Sequence, residues 1–204
     1  MSDLFQTLRK LVREEMASQR FAEIGEVQEV FPADPDNYAC SVALRSSNLV
    51  ISSVPLLATR KGMVSVPDVG DMVLVQFVGG DLNHPIIIGS LYNDVDRPPP
   101  NAEGEMVIHL PSSADEDSAL RVALSENSPM SAKINIGSRL KLTLQDADPV
   151  VDLDVGDGAA TLQIESNGTV TLKSQNELKI EAQSNISIAA GGELNLQGAV
   201  IKLN

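Results

Sequence analysis

No tryptophan occurs in these 204 residues, and only four phenylalanines and two tyrosines. Stacking platforms for bases or sugars are built from aromatic faces, so ligands of that class are disfavoured. A basic surplus is also lacking: 15 Lys and Arg stand against 28 Asp and Glu, for a net charge of −13. The deficit runs through both halves, with 13 acidic and 8 basic residues in 1–100 and 15 and 7 in 101–204. A phosphate backbone recruits a basic surface, so no nucleic-acid partner is expected. The single cysteine, Cys40, rules out an internal disulfide. Its alternation with Val42 and Leu44 marks a strand residue with a buried, inert thiol. No apolar run approaches the roughly 18–20 residues of a membrane span. Arg9, Lys10 and Arg13 interrupt the N-terminal apolar residues, which is not a signal-peptide pattern. Synthesis as a soluble cytoplasmic chain is the expectation.

Catalytic and metal-binding constellations are equally thin. The two histidines, His84 and His109, have no neighbouring nucleophile, and no Ser/His/Asp elbow is present. His84 precedes Pro85 in a turn, and His109 follows Ile108 in a strand, where it reads as a packed or surface residue. Asp152-x-Asp154-x-x-Asp157-Gly158 has the flavour of a calcium loop. Val151, Leu153 and Val155 alternate with its first two carboxylates, which places those on a solvated strand face. Ala114-Asp115-Glu116-Asp117-Ser118 reads as an exposed loop. The expectation is a protein that is not an enzyme and holds no cofactor or metal.

What the chain does contain is a repeat. Leu162/Ile164 recur as Val170/Leu172, Leu178/Ile180, Ile186/Ile188 and Leu194/Leu196, at an unbroken spacing of eight. Strand side chains alternate with period two, so an even repeat sends every pair to one face. Small residues follow each pair: Ser166, Ser174, Ala182, Ala190 and Gly198. Turn-prone residues separate the pairs, and the intervening positions are polar. Short strands with one dry face cannot stand alone in water. A flat meander would leave the apolar strip bare. A single-chain solenoid would need three octads per coil, and the repeats suffice for only about two coils. Three intertwined chains, each giving one side of a triangular prism, bury the pairs on the axis and remove the strand edges. The ten apolar residues from Leu162 to Leu196 are then the trimer axis. After Leu196 the register slips, because Ile201/Leu203 come only seven residues later, which reads as a blunt end.

Upstream, residues 3–19 read as a helix with Leu4, Phe5, Leu8, Leu11, Val12 and Met16 on one stripe and Ser2 or Asp3 as N-cap. The stripe has no partner helix in this chain, so it packs on the next domain or is offered to another protein. Strands near 22–31, 38–45, 49–58, 72–78 and 85–92 follow, with turns at Gly70-Asp71 and Gly79-Gly80-Asp81. Five strands in about 75 residues suit a small closed barrel of the OB type. Arg97-Pro98-Pro99-Pro100-Asn101 is a stiff spacer. Val107, Leu120/Val122/Leu124, Ile134/Ile136, Leu140/Leu142/Leu144 and Val151/Leu153/Val155 then read as wider, irregular rungs above the octads. The domains expected are 1–20 helix, 21–96 OB barrel, 97–104 linker, 105–158 irregular upper β-helix and 159–204 octad β-helix with tip. The fold class is all-β: an N-terminal helix, an OB barrel and a C-terminal intertwined triple-stranded β-helix in a homotrimeric prism.

The segment 66–93 carries Pro67, Gly70-Asp71, Val73, Val75, Phe77, Asp81, Pro85, Gly89 and Tyr92-Asn93 in order. This resembles the signature of the baseplate assembly protein V / VgrG-type spike family, P-x-x-G-D-x-V-x-V-x-F, an acidic turn, then a proline-led apolar strand. The resemblance covers about 20–96 by motif and 105–204 by architecture. It implies the central spike of a contractile tail or a related injection system, a homotrimer seated on a baseplate hub and meeting the target outer membrane transiently. Its location would be the virion tail baseplate or the injection particle. Hub contact falls to Leu4, Phe5, Leu8, Leu11 and Val12. Relatives differ in carrying a lysozyme-like segment, a long effector extension or a C-terminal His-x-His iron site. None of these is legible here, so the blunt end is expected to seat a small PAAR-type tip protein on Ala199, Val200, Ile201, Lys202, Leu203 and Asn204. The rival reading is a trimeric OB-fold binding module, a tail fibre or adhesin, with a β-helical stalk.

Overall fold

In the computed structural model the residues described are 5–11, 21–32 and 35–202. The chain divides into two units, 1–98 and 99–204, and the division falls inside the proline run. One short helix, α1, spans 5–11. The rest of the helix expected over 3–19 lies outside the described residues, as do Leu4 and Val12 of its stripe.

The first unit is built by alternation. Strand β4 (Met72–Phe77) buries Val73, Val75 and Phe77 completely and leaves Met72, Leu74 and Gln76 half-buried. It pairs with β1 (Ala22–Val30) and β5 (Pro85–Ser90). β1 also pairs with β2 (Ala39–Leu44), and β2 with β3 (Val50–Pro55), giving the antiparallel order β3-β2-β1-β4-β5. Three strand pairs carry register shifts, at Val27/Glu29, Cys40/Val42 and Leu74/Val75. Bulges of this kind bend a strand and raise its twist, which curls the sheet. The seam is joined by a parallel bridge between Leu56 and Ile87, and the Leu57 N–H donates to the Ile87 carbonyl at 2.8 Å. Gly25 has no room for a side chain on β1, since a Cβ there would overlap Val42 Cγ1 of β2. Val27, Cys40, Val42, Leu44, Val54, Val73, Val75, Phe77 and Ile87 form the barrel core. Burial pushes the Cys40 thiol up, so it stays protonated and unreactive.

The second unit is a single seven-stranded antiparallel meander in sequence order. Its strands are β6 (Glu105–Leu110), β7 (Leu120–Ser125), β8 (Ser131–Ile136), β9 (Leu140–Gln145), β10 (Val151–Val155), β11 (Ala160–Ile164) and β12 (Val170–Ser174). No register shift interrupts any of its six ladders. The sheet runs straight through the division expected at 158/159 and takes in the first two octads. The physical reason is turn chemistry. Left-handed residues make the tight connections, namely Gly137, Gly156-Asp157-Gly158 and Gly168 at φ +89°. Beyond Gly168 the remaining glycines, Gly191, Gly192 and Gly198, are not left-handed, and residues 175–202 form no strand.

Candidate functional site: a bare apolar sheet face

The registers of the meander place its side chains in rows across seven strands. The middle row reads Ile108, Val122, Ile134, Leu142, Leu153, Leu162 and Leu172, all on one face. A second row on that face reads Met106, Leu124, Ala132, Leu144, Val151, Ile164 and Val170. A third carries Leu110, Leu120, Ile136, Leu140, Val155 and Ala160 and ends on Ser174 in β12. Ser174 apart, the three rows are apolar throughout, and half of their twenty apolar residues are exposed. Met106 is 58% exposed, Ile136 52% and Val170 62%. Among the described residues, the only buried apolar side chains of this unit are the two small ones, Ala119 and Ala123. An exposed apolar patch on a monomer reaches about 300–600 Å². Two unbroken rows and a third broken only at Ser174, across a sheet about 30 Å wide at roughly 4.8 Å between strands, exceed that.

The opposite face is polar and locally covered. One row holds His109, Arg121, Asn135, Lys141, Asp154, Thr161 and Lys173. Arg121 donates through Nη2 to the Pro100 carbonyl at 3.0 Å and lies 4.0 Å from both Glu105 and Glu116. These contacts hold the proline-rich entry and the loop after β6 against the sheet. His109 Nε2 donates to the Ala114 carbonyl at 2.8 Å. The acidic run at the β10–β11 connection is engaged locally. Asp152 accepts from Gln163 Nε2 at 3.1 Å, Asp154 from the Gly158 N–H at 2.6 Å, and Asp157 pairs with Lys141 at 3.0 Å. Asp157 is also what raises the Lys141 ammonium above its ordinary value. No three His, Cys, Asp or Glu side chains among the described residues are grouped to hold a metal ion. His84 sits in the β4–β5 turn, with Nδ1 2.9 Å from Asp81 Oδ2.

Of the expected axis residues, Leu162, Ile164, Val170 and Leu172 are brought together on the apolar face. Leu178, Ile180, Ile186, Ile188, Leu194 and Leu196 are exposed and lie in no strand. Ala199, Val200, Ile201 and Lys202 are exposed, whereas Leu203 and Asn204 lie outside the described residues. Phe5, Leu8 and Leu11 of the N-terminal stripe are exposed. One reading needs correction. Val107, taken above as a rung residue, lies on the polar side of β6, in the row of Ala123 and Lys133. The apolar face takes Met106, Ile108 and Leu110 instead. The signal was present in the sequence, since Met-x-Ile-x-Leu alternates as strictly as any octad.

Residues 52–92, running from within β3 past the end of β5, match the family model of the type VI secretion system/phage-baseplate injector OB domain. No curated protein matches the chain.

Proposed function

We propose that this protein is the central spike of a contractile baseplate, in a phage tail or a related injection system, and that it works as a homotrimer. The observation that carries the reading is the bare apolar face of β6–β12. A face of about twenty apolar residues must be covered in water, and the octads continue the same pattern for three more pairs beyond the last hairpin. Two further copies provide the cover, apolar faces turned to a common axis. The loss of left-handed turn residues after Gly168 supports a change of pairing there. Residues 105–174 hydrogen-bond within their own chain, whereas 175–202, with no hairpin turns, take strand partners from the other copies. Leu162, Ile164, Val170, Leu172, Leu178, Ile180, Ile186, Ile188, Leu194 and Leu196 then line the axis.

The work of such a body is mechanical. Strands laid across the axis, hydrogen-bonded on every layer, resist bending while a contracting sheath drives the spike against the target membrane. No catalytic group is assigned. The stripe Leu4, Phe5, Leu8, Leu11 and Val12 faces the baseplate hub, and residues 199–204 seat a small PAAR-type tip protein. What favours the spike over a fibre or adhesin is the injector-type match in the barrel. The test is electron microscopy of the parent particle with and without this gene. Loss of axial density below the tube, with loss of killing or infection, is expected. An unchanged baseplate centre overturns the proposal.

A further inference from the structure

The barrel carries a second uncovered apolar feature, a groove along its seam. Just past the end of β3, Leu56 bridges Ile87 and the Leu57 N–H donates to the Ile87 carbonyl across the seam. The bulge at Ser52-Ser53, opposite Ser41, puts Ser53 at φ +53° beside the seam. The opening is a cavity of about 550 Å³ lined by Ile51, Val78, Leu82 and Ile86 together with Asn83 and His84. Clefts that hold ligands span about 300–1,000 Å³. Pro55 and Pro85 also line it and offer no N–H, so an added strand would find gaps in its ladder. The groove is suited to side chains, not to backbone.

We propose that the groove receives the apolar stripe of α1 from a second copy of this chain, an inference that rests on the trimer reading above. Phe5, Leu8 and Leu11 supply an apolar stripe for the apolar part of that lining. Arg9, stacked over the Phe5 ring at 5.9 Å, brings a cation toward Asp81, which pairs with the lining His84. Asp81 is anionic there, its carboxyl held below the usual range by the Asn83 backbone and side chain and by His84. The chain enters the barrel beside the groove, because the Phe21 carbonyl accepts from the Phe77 N–H, next to Val78. Within one chain Phe5, Leu8 and Leu11 are exposed and the groove is open, and a neighbouring copy supplies the contact. A hub would take the stripe over during assembly.

The test is a full-length Gln6→Cys/Asn83→Cys variant treated with a short bis-maleimide, Cys40 being buried. The expected result is a ladder of covalent dimers and trimers on a denaturing gel, absent from either single variant. Adding Leu8→Asp should abolish the ladder while the native mass stays at three chains. Links confined to single chains, or no links in a protein whose native mass is three chains, overturn the groove assignment and leave the trimer standing. A native mass of one chain overturns both.

Discussion

The two units are made from the same material and solve its exposure differently. Both consist of strands of five to nine residues with one apolar face and antiparallel neighbours. In the barrel, bulges at three ladders, with a glycine where β1 leaves no room for a Cβ against Val42, bend five strands until the apolar faces meet one another. In the meander, six ladders without a bulge keep seven strands in one open layer. The barrel therefore owns its core, and the meander has half of one. What separates a closed core from an open apolar face is here a matter of bulges, not of hydrophobicity.

The largest expected effect sharpens that contrast. Leu162→Asp places a carboxylate at the centre of the apolar face, and in a trimer three of them meet in a dry axis. Unpaired buried charge is costly enough to prevent assembly. The variant should elute as a monomer or aggregate while the barrel keeps its own unfolding transition. Unchanged mass and melting would place Leu162 off the axis. Phe77→Ala is the matching change in the barrel. It leaves a cavity in a core closed within one chain and should cost about 3–5 kcal/mol. That loss should be independent of protein concentration, whereas melting of the second unit should shift with concentration.

Smaller effects test the turns. Gly168→Ala forces a Cβ into a left-handed position and should destabilise by about 1–2 kcal/mol, read by chemical denaturation. The clasp between two successive turns gives the smallest signal. Asp148 accepts from the Ser166 N–H at 2.6 Å and from its Oγ at 2.9 Å, which holds its carboxyl below the ordinary 3.8. A depressed native value means the stabilisation is present above pH 3.8 and is lost as pH falls through the native value. Asp148→Asn should flatten the acid limb of the stability profile and leave neutral pH nearly unchanged. An identical acid limb in the variant would remove the clasp from the account.

Much of this was legible in the sequence, for reasons the structure makes concrete. The barrel strands fall within a residue or two of expectation, apart from the early end of β3 at Pro55, because Val73/Val75/Phe77 and Cys40/Val42/Leu44 alternate cleanly and glycines mark the turns. The octads were visible because eight is an even number. Less visible was that the apolar face begins at Met106, because the four loops at 111–119, 126–130, 137–139 and 146–150 hide the common register of β6 to β10. Val107 drew attention as a strand-forming apolar residue, and only the ladder to Ala123 shows that it faces the other way. The seam groove left no periodic trace, since it arises from a bulge at two serines.

The central claim is that two further copies cover the β6–β12 face. Native mass spectrometry of the full-length protein at micromolar concentration tests it most directly. The account predicts a single species near 65 kDa, three times the 21.7 kDa chain, that persists on dilution. A stable, soluble 21.7 kDa monomer would contradict it.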